Sequence, residues 1–259
     1  SLLVYEANVN LSEKTSGQTA LMWAVAQGHP QIVRLLLEHG ADVHSRTSTS
    51  RMLVNRGGTS TYEDFSAVEY VKTGGSTALF FAAGRGHIEC ARELVEFGAN
   101  VNDVSADGNS VLVVAAHSGH GPLAAFLLDR HADPKAAGAG YGVLHAAVLR
   151  GDLALVKASL NSGADANARI VKGTPYRRQS ADFYLSASMV GATPLIMAAK
   201  YGSADIIKAL TASGADLALA DYSGTTPLIA AANPNDNNRQ PASIILRKSR
   251  EHEEEKSLQ

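Results

Sequence analysis

Apolar positions along the chain follow a two-beat pattern. In Gly75 to Asn102, GSTALFFAAGRGHIECARELVEFGANVN, a short Leu/Phe/Ala stretch and a longer amphipathic stretch are joined by Gly-Arg-Gly-His and closed by Gly-Ala-Asn. The second beat is clearest in Ile32-Val33-Arg34-Leu35-Leu36-Leu37, whose apolar residues fall at helical spacing. The pattern predicts pairs of short helices separated by tight turns.

The leucine that opens each first helix gives the period. It stands at Leu21, Leu79, Leu112, Leu144, Leu195 and Leu228, at intervals of 58, 33, 32, 51 and 33 residues. The two long intervals contain insertions; the base period is about 33 residues. Gly-x-Thr-x-Leu recurs at Gly17 to Leu21, Gly75 to Leu79, Gly191 to Leu195 and Gly224 to Leu228. Thr is a good helix N-cap, and Pro194 and Pro227 suit a first helical turn. Alanine pairs such as Ala82-Ala83 and Ala198-Ala199 allow close helix approach. First helices are expected to stop at Gly28, Gly86, Gly119, Gly151 and Gly202. Second helices are expected to stop at Gly40, Gly98, His131, Gly163 and Gly214, where His131 takes the place of a glycine.

These residues resemble the ankyrin repeat over about four-fifths of the chain. The resemblance implies an all-α solenoid of stacked antiparallel helix pairs with projecting β-hairpin-like fingers. We expect one array over 1–246, with a partial repeat at 1–16 and full repeats starting near 17, 75, 108, 140 and 191. A divergent C-terminal capping repeat is expected from 224, and a charged tail over 247–259. The run Thr174-Pro175-Tyr176-Arg177-Arg178 through Thr193-Pro194 also resembles bacterial ankyrin proteins with interrupted arrays. No single pair can bury its apolar face, so the core must come from stacking.

Composition narrows the function. A hydrophobic share of 45% is ordinary for a folded chain, and a net charge of −2 provides no global field for nucleic acid. Cys90 is the sole cysteine, so no intrachain disulfide forms; its place on an apolar helix face reads as a buried hydrophobe. No apolar run is long enough for a membrane span. The chain opens Ser-Leu-Leu-Val without Met inside what reads as a helix end, so an upstream segment is expected. A cytoplasmic and an exported, periplasmic location both stay open, as do a monomer and a place in a larger assembly.

Candidate chemistry is sparse. There is no HExxH, no zinc-spaced Cys/His set and no Gly-x-Ser-x-Gly elbow, so neither enzyme activity nor a cofactor or metal is expected. His29, His87, His120 and His145 match histidines that the resemblance makes structural, bonding backbone between repeats. His117 differs, because it falls late in a first helix, where the resemblance places ligands.

The individuality of the chain lies in two insertions, 45–74 and 169–190, which interrupt the repeat at the same phase and so enlarge two fingers. The first contains Arg46, Arg51, Arg56 and Lys72 with Tyr62, Phe65 and Tyr70; Met52-Leu53-Val54 reads as a small apolar core. The second contains Arg169, Lys172, Arg177 and Arg178 with Tyr176, Phe183 and Tyr184. Arginine and tyrosine together are typical of binding hot spots. The expected function is a non-catalytic scaffold for a protein or peptide, acidic by charge complementarity, and not for nucleic acid. Its expected contacts are Arg85, Asp107, His117, Tyr141, Arg150 and Tyr201 on first helices and short fingers. The insertions would add Arg51, Arg56, Tyr62, Tyr176, Arg177, Arg178 and Tyr184. Two alternatives are a small-ligand or catalytic pocket roofed by the insertions, using His117 with Arg178 or Tyr184, and a structural array within a longer polypeptide.

Overall fold

A computed structural model of the chain describes residues 7–55, 68–172, 189–201 and 203–232. Five helix pairs follow one another: α1 (Ala20–Ala26) with α2 (Pro30–Glu38), and then, after a ribbon of two strands, α3 (Ala78–Arg85) with α4 (Ile88–Glu96). Next come α5 (Val111–His117) with α6 (Gly121–Asp129), α7 (Val143–Leu149) with α8 (Leu153–Asn161), and α9 (Pro194–Tyr201) with α10 (Ala204–Ala212); α11 (Pro227–Ala231) packs on α9. First helices pack on first helices and second helices on second helices, giving two parallel rows. This is the ankyrin-repeat solenoid. Among the described residues no helix is long and apolar enough to cross a membrane.

The two rows bury different patterns. In α3, Ala78, Leu79, Phe80, Ala82 and Ala83 are all buried, because a first helix is covered by a neighbour on each side as well as by its own partner. In α2 only Val33, Leu36 and Leu37 are buried, at i, i+3 and i+4. Each buried leucine contributes about 2 kcal/mol from apolar area, and the core runs unbroken from Leu21 to Ala231.

The local signals act largely as the pattern predicts. Thr19, Ser110, Thr193 and Thr226 accept amide hydrogen bonds at the start of α1, α5, α9 and α11. Thr77 departs from this pattern: it precedes α3 without a side-chain capping bond and is itself buried. Gly86 adopts φ +78°, and an added Cβ would lie 2.5 Å from Nδ1 of His120, so the glycine serves both the turn and the close approach of the next repeat. His131 holds φ +65° with a side chain present.

The ribbon between α2 and α3 pairs β1 (Ser50–Asn55) antiparallel with β2 (Val68–Thr73), with Arg51 opposite Lys72 and Leu53 opposite Tyr70. Of the expected small apolar core, Met52 and Leu53 are both exposed.

Candidate functional site

The base of the ribbon is tied by a compact set of bonds. Thr47 N–H donates to Ser76 O at 3.0 Å and Gly75 N–H to Thr47 O at 3.2 Å. Arg46 donates to Gly75 O at 2.7 Å and to Val104 O at 3.1 Å, and it pairs with the buried carboxylate of Asp103. The chain entering and leaving 173–188 is tied in the same way. Ile170 N–H donates to Ala192 O at 3.0 Å and Gly191 N–H to Ile170 O at 2.7 Å, while Arg169 donates to Gly191 O at 2.8 Å. Arg169 also lies over the Tyr222 ring, 5.4 Å from its centroid. Arg46 and Arg169 each stand four residues after the aspartate of the closing turn, Asp42 or Asp165. Both belong to the basic residues of the insertions, and their guanidinium groups join the entering and leaving segments at each neck.

The first-helix row brings three of the expected contact residues together. The rings of His117 and Tyr141 are 5.5 Å apart between centroids, tilted by 50°. Arg150 donates Nε–H to the backbone oxygen of His117 at 2.7 Å. Burial lowers the Arg150 guanidinium from its ordinary value, though arginine stays charged at neutral pH. Tyr141 differs from the expectation of a surface contact: it is 3% exposed, buried at the start of α7 beside His117. The chain turns just before it, where Gly140 adopts φ +99° and donates N–H to Ala137 O at 2.8 Å. His117 and Arg150 are half-buried.

The other expected residues sit apart from that group. Arg85 and Tyr201 are exposed at the ends of α3 and α9. Asp107 is half-buried at a finger tip, where it accepts from Ser105 Oγ. Arg51 is exposed on the ribbon. Arg56, Tyr62, Tyr176, Arg177, Arg178 and Tyr184 lie outside the described residues. Trp23 went unremarked in the sequence, yet it is the chain's single tryptophan and is 53% exposed on α1, in the same row as Arg85. Its position two residues after Leu21, equivalent to half-buried Phe81 and Val114, was the available signal.

The titratable groups inside the array are structural. Cys90 is buried and its thiol is pushed up to about 11, by burial first and by Glu89 and Glu93 second, which makes it a poor nucleophile. His145 accepts Gly142 N–H at Nδ1, 3.2 Å, and donates from Nε2 to Ala168 O, 3.1 Å. Burial holds its pKa down to about 4. Among the described residues no group of three or more His, Cys, Asp or Glu is arranged to hold a metal ion.

Comparisons with known proteins agree with this architecture. A family model described as ankyrin repeats in three copies matches residues 51–137 and 144–252, and one described as an ankyrin repeat matches 16–48. The E3 ubiquitin-protein ligase XBAT32 of Arabidopsis thaliana is 33% identical over 117 residues, which is 43% of this chain and 23% of that protein. The ankyrin repeat and SAM domain-containing protein 6 of Mus musculus is 35% identical over 98 residues, 37% of this chain and 11% of that protein. The matches thus span a quarter or less of the length of these curated relatives. The crystal structure of the ankyrin repeat domain of Bcl-3, a member of the IkappaB family, superposes with a TM-score of 0.66. It is 24% identical, covering 95% of this chain and 89% of that one.

Proposed function

Because the chain belongs to the ankyrin-repeat family, we propose that it is a non-catalytic scaffold that binds a protein or peptide partner along its row of first helices and fingers. The observation that carries this reading is the set of exposed side chains on that row. Trp23, Arg85 and Tyr201 stand on α1, α3 and α9, supported by a continuous buried core. Trp, Tyr and Arg supply the largest shares of binding energy at protein interfaces. Helices α3 and α9, fixed by neighbours on both sides, lose little freedom on binding. The reading extends to the basic residues of the insertions, Arg51, Arg56, Arg177 and Arg178, which favour an acidic partner.

Photo-cross-linking tests it. A photoreactive residue in place of Arg85 is expected to capture a partner in cells of the source organism, whereas one in place of Lys157, exposed on second helix α8, is not. Equal capture from both positions, or none from position 85, refutes the assignment of this face.

A further inference from the structure

We propose that one face of the β1–β2 ribbon is a docking strip for an extended peptide segment that places a carboxylate and, two residues on, an aliphatic side chain on the same side. The register puts Arg51 across from Lys72 and Leu53 across from Tyr70. Side chains alternate between the faces of a strand, so these four residues share one face: a cationic pair, and beside it an apolar pair.

Two features make this face a binding surface and not a packed one. Like charges directly opposite each other on a ribbon destabilise it. No ion pair joins Arg51 or Lys72 to a carboxylate among the described residues. A carboxylate laid between the two cations removes that repulsion and takes the paired donors of the arginine fork. Next to them Leu53 is 50% and Tyr70 68% exposed, although both are large and apolar in body. A side chain that covers both returns apolar area now in water.

The geometry of the occupant follows. Arg51 and Leu53 are two residues apart on one strand, as are Tyr70 and Lys72 on the other. An extended peptide lying along the ribbon repeats on one side at the same two-residue interval, so an acid at one position falls over the cationic pair and an aliphatic residue two positions on falls over Leu53 and Tyr70. The strip is held at its base by the Arg46 and Thr47 bonds, so little orientational freedom is lost when it is occupied. Two cations beside two apolar groups suit a peptide and not a phosphate backbone, which calls for a longer basic track.

The proposal rests on the scaffold reading and names the partner chemistry at one element. The probe is a fluorescein-labelled peptide of three Glu-Ser-Leu-Ser units, with anisotropy measured on the full chain. The wild type is expected to bind it, and added salt to weaken binding. Replacing every Glu by Gln, or every Leu by Ser, is expected to weaken binding about tenfold, as are the protein variants R51E/K72E and L53S/Y70S. These substitutions fall on exposed side chains, so the melting temperature should stay near that of the parent; R51Q/K72Q gives a milder version of the charge test. Absence of binding, equal binding of the Gln peptide, indifference to R51E/K72E, or preference for an oligothymidylate probe overturns the strip. Cross-linking from position 85 does not involve the ribbon, so it shows separately whether the scaffold reading stands.

Discussion

Arg150 donates to the backbone oxygen of His117 across a repeat junction at 2.7 Å, and in doing so replaces a histidine. One junction earlier the same task falls to His120, whose Nε2 lies 3.3 Å from Gly84 O, the equivalent carbonyl. In the repeat that follows, Asp152 stands where that histidine would be and caps α8 through a 2.9 Å bond from Leu155 N–H. Arg150, two residues earlier, lies against Gly119 and restores the link between repeats.

Arg150→Ala is therefore expected to destabilise the array by about 1–2 kcal/mol, read as a lower denaturant midpoint. Arg150→Lys keeps the charge but lacks the planar Nε–H, and should recover less than half of the loss. Full recovery by lysine would show that charge, and not this bond, is what matters.

The two neck arginines should differ in weight. Arg46→Ala leaves Asp103, 6% exposed, as a buried carboxylate without its cation, at a cost of about 2 kcal/mol after allowing for the half-exposed arginine. Arg169→Ala loses a bond to Gly191 O and the contact over Tyr222, about 1 kcal/mol. Asp103→Asn in the Arg46→Ala background should regain part of the larger loss. Equal thermal shifts for the two single variants would contradict the account of Asp103.

What could be read from the sequence follows from the physics of repetition. Leucine spacing, alanine pairs and positive-φ glycines are local and recur, so the helix pairs and their stacking were legible. Arg46, Arg150 and Arg169 were not, because each acts on a carbonyl 22 to 33 residues away along the chain. An arginine beside a tyrosine reads as a hot spot until the carbonyl it serves is known. Tyr141 misled for a related reason: a tyrosine between glycines looks displayed, but its ring is buried beside His117. Trp23 was overlooked because it occupies a position that elsewhere holds Phe81 and Val114, which are half-buried.

Ser159 is a fault in the second-helix row. It is fully buried, its hydroxyl has no hydrogen-bond partner among the described residues, and Leu94, Leu127 and Leu210 hold the equivalent positions. Ser159→Ala removes the unsatisfied hydroxyl and is expected to stabilise by about 1 kcal/mol. A lower melting temperature for this variant would mean that the hydroxyl has an unrecognised partner.

His131 carries a smaller strain. It holds a left-handed conformation at the end of α6 where the other second helices use glycine, at φ between +82° and +93°. Its carbonyl accepts from Asn102 Nδ2 at 3.3 Å, a backbone contact that a substitution leaves in place. His131→Gly should raise stability by roughly 0.5–1 kcal/mol, while His131→Val should lower it. The pair of melting temperatures checks the sign.

His145 links the array to pH. Its pKa is held at about 4 against an ordinary value of 6.5, because burial disfavours the imidazolium. The unfolded chain therefore takes up a proton below about 6.5 that the folded chain refuses until about 4. Stability is unaffected by this group above neutrality, falls as pH drops through that window, and loses about 3 kcal/mol in all. His145→Gln can still accept from Gly142 N–H and donate toward Ala168 O, but it does not titrate. The variant starts less stable at pH 7.5, yet the difference between it and the wild type should shrink steadily as pH is lowered to 4.5. Urea midpoints across that range read the difference directly, and a constant gap would show that His145 is not the group whose protonation the fold resists.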